Sequence, residues 1–137
     1  MSITVLNPGL LTTVQDMGRV GYQQFGVSVS GVMDPRSAAI ANILVGNPED
    51  EAVLECTMMG PQLLFNQTET IAITGGDLMP TLDGKPMPTY RAVTVQAGQV
   101  LRFQARWGDL LAKGDPCTNP NFDIQREDFS LKILPLE

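Results

Sequence analysis

The side chains best suited to chemistry gather in one stretch. Residues 11–46 read LTTVQDMGRVGYQQFGVSVSGVMDPRSAAIANILVG, with Gly18, Gly21, Gly26 and Gly31 interrupting the run. Between those glycines stand the polar groups Gln15, Asp16, Arg19, Ser28, Ser30 and Asp34. Glycine at that density marks a backbone that turns sharply or comes close to a ligand. Polar side chains on such a loop, ahead of a helix start, can hold a carboxylate or a phosphate-like group. In this reading Arg19 binds an anion and Asp16 orients Arg19 or polarises an amide N–H, with Gln15, Ser28 and Ser30 lining the substrate wall. The alternative is a structural loop in which Asp16 and Arg19 pair and the glycines only make turns. Asp34 reads best as a helix N-cap.

A second candidate is Thr74-Gly75-Gly76-Asp77 at the end of a strand. Its amides suit an anion nest with Asp77 facing the site, and suit a plain turn equally well. It lacks the glycine spacing of a dinucleotide fingerprint or a phosphate loop, so ATP is expected to bind elsewhere. Tyr90 and Arg91 are candidate neighbours of the site.

The sequence contains no histidine. That removes Ser-His-Asp and Cys-His activation and the commonest metal ligand together, so no metal site is expected. Chemistry has to run on carboxylates, Arg, Lys, Tyr, hydroxyls, amides and backbone groups. A net charge of −6 with scattered basic residues argues against nucleic acid as a partner. No run approaches the roughly 20 apolar residues of a membrane span, and no basic segment leads into an apolar one at the start. A cytoplasmic location is the expectation. Cys56, in an apolar stretch, reads as a small core residue and Cys117, after a Gly-Asp-Pro turn, as exposed. Met58, Met59, Met79 and Met87 read as core filler rather than a docking surface.

The elements that would position these groups are mostly short strands, at 3–6, 10–15, 54–57, 62–65, 70–74, 92–96 and 100–105. Asp83-Gly84 predicts a tight hairpin, and 131–134 a closing strand. Many short strands with frequent turns predict a barrel or sandwich. One helix is predicted at about 35–45, from Asp34 as N-cap, Pro35 at its first position and Gly46 as its stop. Its apolar face is expected at Ile40, Ile43 and Leu44.

The run T-T-V-Q-D-x-G-R-x-G, then G-V-S-x-S-G-x-M-D, then A-N-x-L-V-G-N resembles the opening of the allophanate hydrolase subunit 2 family. That family includes the C subunit of 5-oxoprolinase and the carboxyltransferase domain of urea carboxylase. Also in it is a bacterial antagonist of a sporulation-kinase inhibitor. The likeness continues through Ala52-Val53-Leu54-Glu55, Ile71-Ala72-Ile73-Thr74-Gly75-Gly76-Asp77, Leu82-Asp83-Gly84-Lys85-Pro86 and Gly98-Gln99-Val100-Leu101, covering about residues 3–104.

The resemblance implies a mainly β, cyclophilin-like β-barrel over 1–106 with one short helix, and a divergent tail over 107–137 that is a remnant of a longer C-terminal portion. It implies a subunit of a heteromeric, ATP-dependent amide or lactam hydrolase, incomplete alone. Asp16 and Arg19 would be catalytic, and Gln15, Ser28, Ser30 and Asp77 would bind substrate. The implied partners are an allophanate hydrolase subunit 1-like companion and a third 5-oxoprolinase subunit, with self-association left open. No cofactor is expected on this chain. The complex would use ATP and, in a carboxyltransferase alternative, biotin would arrive on another protein, since no Met-Lys attachment dipeptide occurs. The other reading is a non-catalytic module that grips a companion subunit or a kinase inhibitor.

Overall fold

The computed structural model describes residues 3–104 and the strand Asp128–Lys132. Turn residues cut the chain into ten strands: β1 (Ile3–Asn7), β2 (Leu11–Gln15), β3 (Val53–Thr57), β4 (Gln62–Phe65), β5 (Glu69–Gly75), β6 (Pro80–Leu82), β7 (Lys85–Pro86), β8 (Ala92–Val95), β9 (Val100–Phe103) and β10 (Asp128–Lys132). A single helix, α1 (Pro35–Val45), and a one-turn 3-10 segment, Gln23–Phe25, complete the described elements. The strands pair antiparallel into two five-stranded sheets, ordered β1-β4-β9-β6-β7 and β2-β3-β10-β5-β8. The expected mainly β fold with one helix at 35–45 is what forms. No helix among the described residues is long and apolar enough to cross a membrane.

Strand alternation places the core between the sheets. Leu63, Phe65 and Leu101 enter from the first sheet, and Cys56, Ile71, Ile73 and Val95 from the second, all buried in one cluster with Met87. Burial pushes the Cys56 thiol up to about 12, with Glu55 adding to the rise and a Thr12 hydrogen bond opposing it. This cysteine is therefore an inert core residue.

The helix begins as its cap dictates. Asp34 accepts from the Ser37 N–H at 3.0 Å and from the Ser37 hydroxyl, and Pro35 follows. Gly46 ends the helix in the left-handed conformation at φ +83°. The buried face differs from the expected one. Ser37, Ala38, Ala41 and Asn42 are buried, whereas Ile43 is more than half exposed. The outer face of β5 presents the buried Ala72 and Thr74, and the Thr74 hydroxyl donates to the Ser37 carbonyl at 2.7 Å. So close an approach favours alanines over branched side chains. Asn42 in turn donates to the carbonyls of Glu49 and Glu51 at 3.1 and 2.8 Å, fixing the turn after the helix.

The cap makes a measurable prediction. Burial raises the Asp34 pKa, but the Ser37 and Arg36 interactions outweigh it and hold the carboxyl below its ordinary 3.8. A carboxylate with a depressed folded pKa stabilises above its unfolded value, and that contribution disappears as pH falls through the folded one. Asp34→Ala should cost about 1 kcal/mol in urea unfolding at neutral pH. The cost should shrink progressively below pH 3.8. An undiminished cost in strong acid would rule out the charged cap as its cause.

Candidate functional site

Between β2 and α1 the chain makes a long loop whose neck is tied backbone to backbone. The Val32 N–H donates to the Asp16 carbonyl at 2.8 Å, and the Arg19 N–H to the Val29 carbonyl at 2.7 Å. Residues 16–19 therefore run beside 29–32. The strands of this neck are so close that a Cβ on Gly18 would lie 2.3 Å from the Ser30 carbonyl oxygen, and one on Gly31 would lie 2.6 Å from the Gly18 nitrogen. Both glycines also have positive φ, +78° and +94°. The Asp16 carboxylate accepts from the Gly18 N–H at 2.8 Å and fixes the first turn. The close approach expected of these glycines is thus made to the chain's own backbone.

Beneath the loop lies a polar row on the second sheet. Thr13 pairs with Glu55, Glu55 with Ser130, and Ser130 with Thr74. Residues opposite one another share a face, so Thr13, Glu55 and Thr74 lie on one line. Because Cys56 and Ile73 point into the core, this line faces the other way. Glu55 accepts from the Met33 N–H at 2.7 Å, and Thr74 holds Ser37, so the entry into α1 is moored to the row at two points. Gln15 lies on the same face, opposite Val53, with its amide donating to the Thr13 hydroxyl at 3.1 Å. Glu55 stands outside the residues expected from sequence to serve the site. Its one signal is a carboxylate between the apolar neighbours Leu54 and Cys56 in the middle of a strand.

The structure brings some expected residues together. Across the neck, Arg19 is registered against Val29, between Ser28 and Ser30. The two serine hydroxyls are 3.0 Å apart, and Ser30 is held at φ +53°, uncommon outside glycine. Gln15 and Asp16 form the base of the neck. Among the described residues no ion pair joins Asp16 to Arg19, and both are exposed. The Asp77 carboxylate accepts from the Met79 N–H at 2.8 Å, closing its own turn. The Gly75 N–H donates to the Tyr90 phenol oxygen at 3.0 Å, and that phenol donates back to the Gly75 carbonyl at 3.2 Å. One amide of the Thr74–Asp77 segment is thereby satisfied inside the protein. Tyr90 does neighbour that segment, as a clamp on it.

A separate groove of about 630 Å³ opens on the first sheet, with Asn7, Gln62, Thr81, Arg102 and Gln104 among its lining. None of the neck residues lines it. The two surfaces are distinct features of the fold.

Residues 25–108 match the family described as carboxyltransferase domain, subdomain A and B. The chain belongs to that family. It is 43% identical over 101 residues to urea amidolyase of Saccharomyces cerevisiae, an alignment covering 73% of this chain and 6% of that protein. It is 37% identical over 101 residues to the C subunit of 5-oxoprolinase from Haemophilus influenzae, covering 74% of this chain and 33% of the relative. The crystal structure of the Kluyveromyces lactis urea carboxylase superposes with a TM-score of 0.73 at 38% identity, over 77% of this chain and 10% of that one. This carboxyltransferase-family chain thus spans a third or less of the length of the curated relatives it matches. The neck glycines Gly18 and Gly31 lie on either side of the start of the family match at residue 25.

Proposed function

We propose that this chain supplies the substrate-holding wall of an ATP-dependent amide or lactam hydrolase complex of the 5-oxoprolinase kind. One observation carries the reading. The backbone of Arg19 is tied to Val29, the residue between Ser28 and Ser30, on a neck whose backbone spacing admits only glycine at two positions. A guanidinium on a rigid mount is suited to gripping a substrate carboxylate in one orientation, with the serine hydroxyls of the facing segment as further polar groups of the neck. Asp16 keeps one carboxylate oxygen on the Gly18 N–H, which leaves the other to polarise an amide N–H. The 37% identity to a 5-oxoprolinase C subunit supports the lactam as substrate class. Hydrolysis adds water to the lactam carbonyl carbon, breaks the C–N bond and leaves a proton on the departing nitrogen. ATP is consumed by the complex, and any biotin of a carboxyl-transfer variant is carried by another protein. A companion subunit would complete the site.

A second reading, a non-catalytic module gripping that companion, is favoured by the loop beyond the neck. There Val20 is 81% exposed and Phe25 72%. Apolar side chains presented so fully on a loop are typical of contact surfaces.

Both readings are separated by mixing this chain with the companion subunit and the third subunit and assaying ATP-dependent glutamate release from 5-oxoproline. Turnover is expected, and Arg19→Ala should lower kcat/KM by roughly tenfold to a hundredfold, as for loss of a hydrogen bond to a charged group. Arg19→Lys should recover part of it, because the charge returns without the fork. A complex that forms without turnover would leave the binding module, and turnover indifferent to Arg19 would remove this residue from the site.

A further inference from the structure

We propose that the edges of β1 and β2, unpaired among the described residues, form a self-association surface, the seat of a second copy of this chain. Among the described strands, β1 is the outermost of the first sheet and β2 of the second. The tight turn between them, closed by the Gly9 N–H on the Asn7 side chain at 2.8 Å, keeps the two edges together on one side of the molecule. Register then tells which way their side chains point. Val5 is opposite Leu63 and Val14 is opposite Leu54, and both partners face the core cluster. Val5 and Val14 are therefore inward-facing positions. Leu63 is fully buried, yet Val5 is 58% exposed and Val14 57%. Inward-facing valines left this open mean that the described residues leave the space between the sheets uncovered on this side.

Leu6, Leu10 and Leu11 along this edge are also more than half exposed, beside the uncharged polar Thr4, Thr13 and Gln15. Proteins guard free strand edges with lysine, proline, charge or bulges that turn the edge away. Residues 3–15 contain no charged residue, and their one proline, Pro8, lies in the turn rather than in a strand. The single bulge-like register shift comes only at the end of β1, between Val5 and Asn7. The charge distribution selects the occupant. In a chain of net charge −6, an uncharged edge is where two copies can meet without bringing their negative charge together. It also offers nothing to an acidic or basic partner. An uncharged edge with open backbone donors and acceptors is complementary to itself, as a two-fold interface requires. A two-fold axis through both sheets would pair β1 with its copy and β2 with its copy, antiparallel in each case. Both sheets would be continuous across the dimer, and the four valines would close the gap between them.

The test is the mass of the full chain by light scattering across a concentration series, with hydrogen exchange read at each concentration. A dimer is expected, with the amides of β1 and β2 gaining protection as it forms. The double variant Val5→Lys, Val14→Lys should be monomeric at concentrations where the parent is dimeric, with unchanged far-UV circular dichroism. Should that variant fail to fold, exchange in the unaltered chain still decides the matter. A monomer at every attainable concentration would overturn the proposal. A dimer in which the β1 and β2 amides stay unprotected would do the same. So would protection that appears only when the companion subunit is added.

Discussion

Gly31→Ala is expected to open the neck of the loop and to destabilise the chain by about 3 kcal/mol. Two costs add. Alanine at φ +94° is itself unfavourable by about 1–2 kcal/mol. Its methyl would also stand 2.6 Å from the Gly18 nitrogen and 2.8 Å from the Asp16 carbonyl oxygen, both backbone atoms that cannot rotate away. Relief requires parting 16–19 from 29–32, which sacrifices the hydrogen bonds Val32 to Asp16 and Arg19 to Val29. Gly26→Ala is the control. Its φ is +77°, but a Cβ there meets nothing within 4 Å, so only the conformational cost applies. Urea unfolding should separate the two variants by well over 1 kcal/mol, and limited proteolysis should cut the 19–29 segment faster in Gly31→Ala alone. Equal costs would mean that the neck is not held by steric closure. In the reconstituted complex the same variant should lose turnover, since Arg19 and the Ser28–Ser30 pair are mounted on this clasp.

That contrast also explains which parts of the site could be read from the residues alone. Glycine-rich composition marks a close approach, because only glycine tolerates one. It does not reveal that the approaching group is backbone, which depends on residues thirteen positions apart coming together. The bounds of α1 are legible because Asp34, Pro35 and Gly46 act locally. Its buried face is not, because the apolar spacing of Ile40, Ile43 and Leu44 describes the helix and says nothing of what lies beneath it. The near surface of β5 selects Ala38 and Ala41 instead. The hairpin at Asp83-Gly84 follows from turn chemistry, and the strand Gln62–Phe65 from its bounding turns. The late strand, expected at 131–134 as a closing element, spans Asp128–Lys132. It lies inside the second sheet, between β3 and β5, with 133–134 outside the described residues. A pairing across more than fifty residues leaves no local trace. The role of Glu55 is hidden for the same reason: its partner, Met33, is 22 residues away. Asp77 is expected on the substrate wall. The carboxylate oxygen that its neighbour Met79 engages serves its own turn, an arrangement that any Asx turn can adopt.

Phe65→Ala should have the largest effect on stability, about 3–5 kcal/mol. Among the described residues Phe65 is the largest fully buried side chain, and the core it enters is drawn from both sheets. Its backbone is engaged too, donating to the Gln99 carbonyl at 3.0 Å and accepting from the Gly98 N–H at 2.7 Å, so the strand cannot shift to fill the void. A domain of this size is stable by about 5–15 kcal/mol, so the variant should lie near the limit of folding at room temperature. Phe65→Leu, which keeps most of the volume, should cost about 1–2 kcal/mol. The position has a further consequence. Phe65 is opposite Ile3 on the strand next to the free edge, and Ile3 packs on the same cluster. Emptying the site removes the floor on which β1 rests, so self-association should weaken along with stability. Urea unfolding and light scattering on the same samples would read both. If Phe65→Ala lost under about 1 kcal/mol, the core would not be the closed layer between the sheets described here. If stability fell while the dimer persisted, the edge would owe its geometry to β2 alone.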